Sequence, residues 1–472
     1  MFGLGFEMSL ILVLCLLAAV AFEFINGFHD TANAVATVIY TKALTPTVAV
    51  IWSGIFNFLG VMIGGITVAM GIVNLLPASA LADQNAYHSI AMILALILTA
   101  IFWNLGTWYL GIPCSSSHTL LGSIFGVGIA FMLLPDAGSV ALNWSKVKDA
   151  GLSLLISPLI GFGLTMGLMT LLKKYAKNKT VLFEHDAKRK YPPFGVRSLL
   201  IFTCTSVSFT HGSNDGQKGV GLIMIILMAI IPAKFAIDAN KSPEELLSKV
   251  IVIENSVKSI DSTKITVENK STCTVLLSKT EHMKSILAGK TSFDSIQGKG
   301  NFELRNDISK LSKESEKLLV ASIDQPVIPF DKEEAAKLKK DIKSLKSYTD
   351  YAPWWVILMI SLSLGFGTMI GWKRIVVTVG EKIGKSPLTY AQGASAELVA
   401  ASTIALSTGL GLPVSTTHVL SSGVAGSMVA KDGLKNLRKK TVRNILTAWL
   451  ITLPVTIVLS GSLFLLLRWI MG

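Results

Sequence analysis

A chain of 472 residues that is 51% hydrophobic and only 15% charged, with a mean hydropathy of +0.57, is too apolar for a soluble domain, where about a quarter of residues are charged. Its formal charge of +13 does not call for a nucleic-acid partner, because the surplus Lys and Arg sit in short loops between apolar runs, where they report membrane orientation. The four scattered cysteines, Cys15, Cys114, Cys204 and Cys273, suggest neither a disulfide framework nor a thiolate metal site, and no Walker loop, His-Glu-x-x-His or Gly-x-Ser-x-Gly motif marks an enzyme.

Apolar spans are predicted near 8–40, 46–75, 89–111, 113–135 and 150–172, and again near 198–231, 352–371, 391–410, 413–430 and 444–470. A helix needs about 20 apolar residues to cross a bilayer. The expectation is therefore an all-α polytopic membrane protein embedded in a lipid bilayer. The first run has neither a basic flank before it nor a small-residue cleavage site, so it reads as a membrane helix rather than a removed signal. The runs at 8–40 and 198–231 are longer than a span requires and should tilt or break at the polar motifs they contain.

Basic loops set the orientation. Loop 173–197, with Lys173-Lys174 and Lys188-Arg189-Lys190, goes to the cytoplasm, as do Lys373-Arg374 through Lys385 and Lys431 through Arg443. Both termini then face outward. So does segment 236–350, whose 19 Lys/Arg and 18 Asp/Glu leave a net of +1. That segment spaces Leu304, Ile308, Leu311 and Leu318 as one helix face does. The expected organisation is a first transmembrane repeat (1–172), a basic linker (173–197), the start of a second repeat (198–235), a mainly helical extramembrane insert (236–350) and the remainder of the second repeat (351–472).

The repeat is read from two duplicated motifs. Asn26-Gly27-Phe28-His29-Asp30-Thr31-Ala32-Asn33 places an acid and amides inside an apolar span, and His211-Gly212-Ser213-Asn214-Asp215-Gly216-Gln217-Lys218 is its degenerate copy. Leu110-Gly111-Ile112-Pro113-Cys114-Ser115-Ser116-Ser117-His118 likewise matches Leu410-Gly411-Leu412-Pro413-Val414-Ser415-Thr416-Thr417-His418. Asp30 precedes Pro113 by 83 residues and Asp215 precedes Pro413 by 198; the difference of 115 is the length of the insert. Five spans per half invert the second half, which is the plan of secondary transporters with a site at the repeat interface.

The chemistry follows from the residue types. In Gly-x-Pro-x-Ser-Ser/Thr-Ser/Thr-His the glycine ends one helix, proline suits a first turn or an extended entry, and hydroxyls can cap the next helix. A half-helix N-terminus favours an anion such as phosphate, although Ser and Thr also serve as plain helix glue. Glu23, Asn26, Asp30 and Asn33 recur at helical spacing on one face. Intramembrane acids mark ion or substrate paths. The substrate-binding candidates are Asn26, Asp30, Asn33, Ser115, Ser116, Ser117, Asn214, Asp215, Lys218, Ser415, Thr416 and Thr417. The cation-coupling candidates are Glu23, Asp30, Asp215 and Glu397. His29, His118, His211 and His418 lack metal-ligand spacing, so no resident metal ligand is assigned.

Segments Gly27 to Asn33 and Gly212 to Lys218 resemble the duplicated signature of the PiT family of inorganic phosphate transporters. Pro113 to His118 and Pro413 to His418 resemble its paired serine/threonine-rich segments. The resemblance spans nearly all of the membrane portion and points most of all to the bacterial low-affinity members. It implies a multi-pass protein of the bacterial inner (plasma) membrane that imports inorganic phosphate, in part as a metal–phosphate complex. The coupling ion is H⁺ or Na⁺, with H⁺ favoured. No permanently bound cofactor is implied, divalent metal enters only with phosphate, and a homodimer is left open. Asp30, Asn33, Asn214 and Asp215, with the hydroxyl triplets, would form the phosphate and cation sites. Two departures stand out: His29 is where many members have Asn, and Lys218 is where the first copy has Asn33. A permease for sulfate or another tetrahedral oxyanion is the alternative, with an intramembrane phosphatase or a partner-binding sensor as rivals of another class.

Overall fold

The computed structural model describes residues 2–30, 32–76, 85–135, 142–176, 179–183, 190–260, 266–296, 299–324 and 332–471. Their regular structure is helical throughout, apart from one isolated β-bridge between Gly384 and Leu437. Up to the basic linker the helices are α1 (Phe6–Asp30), α2 (Ala32–Tyr40), α3 (Pro46–Ile63), α4 (Thr67–Val73), α5 (Ala86–Tyr109), α6 (Ser116–Met132) and α7 (Trp144–Tyr175). Then follow α8 (Lys179–Phe183), α9 (Phe194–His211), a π-helical turn (Gly212–Gly216), α10 (Gln217–Ile230) and α11 (Pro232–Phe235). Next are α12 (Pro243–Lys258), α13 (Val267–Leu287), α14 (Gly300–Asp324) and α15 (Lys332–Lys346). The chain ends with α16 (Trp354–Met369), α17 (Lys373–Val377) with a π-helical extension (Thr378–Lys382), α18 (Tyr390–Gly409), α19 (Thr416–Asp432) and α20 (Lys439–Met471).

The chain forms two compact units. One is Met1–Ile226 with Ala352–Gly472, and the other is Leu227–Tyr351. In the first, five described helical stretches are long and apolar enough to cross a membrane: Phe6–Tyr40, Pro46–Ile63, Tyr87–Tyr109, Trp144–Tyr175 and Lys439–Met471. A sixth is Trp354–Lys382 if its two arms, bent by 56°, count as one. The other predicted spans coincide with helices that are short, as α6 and α19 are, or that carry many polar residues, as α9 and α18 do. Polar residues, within the motifs and in α18 outside them, keep these helices below the length or hydropathy of a plain span.

Close helix crossings organise this unit. A Cβ added at Gly27 on α1 would lie 2.6 Å from the Leu364 carbonyl oxygen and 2.9 Å from the Thr368 nitrogen of α16. The motif glycine is thus a point of backbone contact, of the kind small residues provide in membrane helices. The last helix of each half packs on the other half: α20 lies along α6, and α7 along α19. Exposed Leu, Phe and Val side chains cover the outer faces, among them Leu14, Phe102, Leu159, Phe202 and Val458. In water such a surface would mark a binding face; in a bilayer it meets lipid.

The second unit, Leu227–Tyr351, buries Leu246, Val250, Ile253, Leu276, Met283, Leu304, Ile308, Leu311, Leu338, Ile342 and Leu345 in its own core. Glu254 on α12 receives Lys258 Nζ at 2.6 Å and Lys284 Nζ of α13 at 2.6 Å. These ammonium groups, Lys258 foremost, hold its carboxyl below the usual carboxylate range.

Candidate functional site

The two Gly-x-Pro segments adopt the same backbone. Gly111 (φ +65°) and Gly411 (φ +69°) close α5 and α18 in the left-handed conformation. The nitrogens of Ile112 and Leu412 reach back to the carbonyls of Thr107 and Ser407 at 3.0 and 2.9 Å. This is a Schellman ending, which places glycine one residue past the helix. Pro113 and Pro413 then lie in an extended entry rather than a first turn. Ser115 and Ser415 are the N-caps of α6 and α19, and each Oγ accepts the nitrogen of the histidine three residues on, at 3.2 and 3.1 Å. Capping therefore occupies the first hydroxyl of each triplet.

Three of the four remaining hydroxyls bond the buried acids. Ser116 Oγ lies 2.7 Å from Asp30 Oδ2 and 2.6 Å from Asn26 Oδ1. Thr417 Oγ1 donates to Asp30 Oδ1 at 2.6 Å, so Asp30 is held by hydroxyls from both halves of the chain. Thr416 Oγ1 donates to Asp215 Oδ2 at 3.3 Å. Ser117 Oγ donates to the Val414 carbonyl at 2.8 Å and receives Lys218 Nζ. Lys218 Nζ also meets Asp215 Oδ1 at 2.5 Å and the Val414 carbonyl at 2.9 Å. Asp30, Asp215, Lys218 and all six triplet hydroxyl residues are buried.

His211 stands between the acids. Its Nε2 is 3.4 Å from Asp215 Oδ2 and 4.0 Å from Asp30 Oδ2, and it makes no hydrogen bond. Its Nδ1 is fixed 2.8 Å from Asn57 Oδ1 on α3. One ligand atom each from Asp30, His211 and Asp215 lie within 4.8 Å of one another, close enough to hold a metal ion. Linear spacing does not show this triad, because Asp30 and His211 are 181 positions apart in the chain. The π-helical turn that carries Asp215 supplies the local irregularity often found at functional sites.

Other predicted residues take different places. Asn214 pins the entry to α19: its Nδ2 donates to Thr408 Oγ1 at 2.9 Å and its Oδ1 accepts Val414 N at 3.3 Å. Glu23 accepts from Asn26 Nδ2 at 3.0 Å through Oε1, while its buried Oε2 has no hydrogen-bond partner. Glu397 belongs to a separate cluster. Its Oε1 receives Thr37 Oγ1, and its Oε2 receives Thr203 Oγ1 at 2.5 Å. Asn33 lies on α2, and its side chain is outside the described residues.

Several contributors carry no motif signal in the sequence. Thr107 on α5 lies 3.2 Å from His29 Nε2, whose Nδ1 is 3.2 Å from Asp30 Oδ1. Thr37, Asn57, Thr203 and Thr408 are likewise single polar residues in apolar helices. The His118 and His418 rings meet at 4.4 Å, and His418 stacks on Trp449 at 3.9 Å.

A family model described as the phosphate transporter family matches residues 26–460. Among curated proteins, the low-affinity inorganic phosphate transporter PitB of Escherichia coli (strain K12) is 41% identical, with 98% of this chain and 97% of that protein covered. The low-affinity inorganic phosphate transporter of Buchnera aphidicola subsp. Acyrthosiphon pisum (strain APS) is 42% identical, covering 97% and 96%. PitA of Escherichia coli (strain K12) is 40% identical, covering 98% and 97%. A solved structure titled "The sodium-dependent phosphate transporter" shares the fold, with a TM-score of 0.53 at 21% identity over 98% of this chain and 99% of that one.

Proposed function

Because the chain belongs to the phosphate transporter family, we propose that it imports inorganic phosphate across the bacterial inner membrane by cation symport, with H⁺ favoured over Na⁺. It is a transporter, as its named relatives are, and not an enzyme. The observation that carries the proposal is the double hold on Asp30, by Ser116 from one capped half-helix and Thr417 from the other.

The chain is read as two inverted five-span repeats meeting at this cluster. An arriving phosphate takes the hydroxyl donors that now point at the carboxylates, and the N-termini of α6 and α19 favour its charge. Neutral donors bind an anion without the deep well that a cage of fixed cations makes, so release stays fast. The two carboxylates repel a bare phosphate. A proton or cation held by Asp30 and Asp215 removes that repulsion, so the anion and the cation enter together. Each ligand stabilises only the arrangement that binds both, which is the thermodynamic content of coupling. Glu23, with one buried oxygen lacking a partner, and Glu397, in its own hydroxyl-lined cluster, are further coupling positions. The first extended entry, at Pro113, opens toward the cytoplasm and the second, at Pro413, toward the outside.

A second reading, that phosphate travels as a metal complex, is favoured by Asp30, His211 and Asp215, whose ligand atoms suit a divalent ion. Phosphate uptake into proteoliposomes under imposed pH or Na⁺ gradients, with and without Mg²⁺, tests both readings. Uptake driven by an inward proton gradient is expected, with stimulation by Mg²⁺ if the complex is the cargo. Sulfate competing as well as phosphate itself would replace the phosphate assignment with a general oxyanion permease.

A further inference from the structure

Among the described residues Lys218 is the one buried Lys or Arg at the site, and its surroundings are those of a bound ion. We propose that the Lys218 ammonium is a tethered cation: it fills one of two related cation positions in the repeat, so that the chain needs no dissociable ion at Asp215 Oδ1 and leaves Oδ2 for the ion shared with Asp30. The proposal deepens the symport reading and rests on it.

Three oxygens of three kinds meet Nζ. They are the Asp215 carboxylate at 2.5 Å, the Val414 carbonyl at 2.9 Å, and the Ser117 hydroxyl. They come from three segments: the π turn before α10, the extended entry to α19, and the N-terminus of α6. Carboxylate, carbonyl and hydroxyl oxygens are the ligands that hard cations take. Carbonyls of unwound segments hold coupling ions in transporters with broken helices. The lysine side chain is 3% exposed and Asp215 is 0% exposed, so the pair is sealed from water.

An ammonium has three N–H donors and no acceptor. Here three acceptors meet it, so none of its donors is left for phosphate. Lys218 therefore does not serve as a phosphate ligand in this arrangement. Its charge instead offsets Asp215 and ties together the two half-helix entries through Val414 and Ser117. The sequence points the same way: the residue three after the acid is Lys218 in the second copy and the neutral Asn33 in the first. An amide offers an oxygen ligand but no charge, whereas a lysine brings its own. One half thus carries a covalent cation where the other must recruit a free one.

Lys218→Asn tests this, with Lys218→Met as the control that removes the charge without supplying an oxygen ligand. The proteins are reconstituted with the full chain, and labelled phosphate uptake is compared in Na⁺ and in choline media. For Lys218→Asn the ratio of the two rates should exceed that of the native protein by at least about tenfold, the lower end for losing a charge-assisted hydrogen bond that Na⁺ then replaces. Purified Lys218→Asn should also gain a Na⁺-dependent rise in Tm, in the absence of phosphate, beyond any rise in the native protein or in Lys218→Met. Equal Na⁺ responses in Lys218→Asn and the native protein overturn the proposal. So does a Lys218→Met response as large as that of Lys218→Asn, or a Lys218→Asn protein that shows no folded transition at any Na⁺ concentration. A native protein that takes up no phosphate in either medium defeats the transport reading instead, while the Tm comparison still reads the cation site.

Discussion

Asp30→Asn keeps the size of the side chain and removes its charge and one acceptor. Asp30 accepts hydroxyl bonds at 2.7 Å from Ser116 and 2.6 Å from Thr417. An amide has one oxygen, so only one of those hydroxyls can still donate to residue 30, and neither bond is to a charged group; the other hydroxyl faces the NH₂ group and must turn to accept from it. A hydrogen bond to a charged group is worth about 1.5–3 kcal/mol, which is roughly 10- to 150-fold in an equilibrium. Loss of the carboxylate as a cation or proton holder adds to that deficit. Membrane insertion should be untouched, because a neutral amide is less costly to bury than a carboxylate. Equal amounts of native and Asp30→Asn protein in proteoliposomes, with Tm measured in parallel, give the comparison. Phosphate uptake should fall at least about tenfold while a cooperative thermal transition is retained. Uptake within about twofold of native, under ~0.5 kcal/mol, would refute the role given to Asp30.

Three further outcomes follow from other parts of the molecule. Glu397→Gln should preserve phosphate exchange at equilibrium but lose gradient-driven accumulation, since Glu397 sits with Thr37 and Thr203 outside the Asp30–Asp215 cluster; equal loss of both activities in the same vesicles would count against a coupling role. Gly27→Ala puts a methyl 2.6 Å from the Leu364 carbonyl, so α1 and α16 must separate; a loss of about 1–3 kcal/mol is expected from overpacking, read as a lower Tm in detergent. In the Leu227–Tyr351 unit, the depressed Glu254 carboxyl contributes stability that is fully present above its unfolded pKa and is lost as pH falls through its lower folded value. The protection factors of α12 and α13 amides in the full chain, exchange rates divided into the intrinsic rates at each pH, should therefore fall on acidification through the carboxylate range, and Glu254→Gln should flatten that dependence.

Much of this protein was readable as a string. Ten apolar runs, few charges and an acid inside the first run predict helices in a membrane, because burial of apolar surface in lipid depends on local composition alone. The Gly-x-Pro-x-Ser pattern predicts an interrupted helix for an equally local reason: Gly111 and Gly411 supply the left-handed residue, and Ser115 and Ser415 supply the cap. The short range of these interactions also explains why the duplicated motifs sufficed to identify the family. Thr37, Thr107 and Thr203 lay beyond such reading, since a single hydroxyl in an apolar helix looks the same whether it glues helices or serves an acid.

The sequence by itself thus determined the elements, the motifs and the identity of the acids. Which acid meets which hydroxyl was decided only by tertiary structure. Thr417 reaches Asp30 across 387 positions, Ser117 meets Lys218 across 101, and His211 settles between two carboxylates far apart in the chain. Such contacts depend on how α1, α6, α10 and α19 cross, and crossings are set by packing of whole helix faces rather than by any one residue's neighbours in sequence. Lys218 shows the difference most clearly. Its position in the motif suggests a phosphate ligand, and only the fold brings three oxygens from three segments to its ammonium.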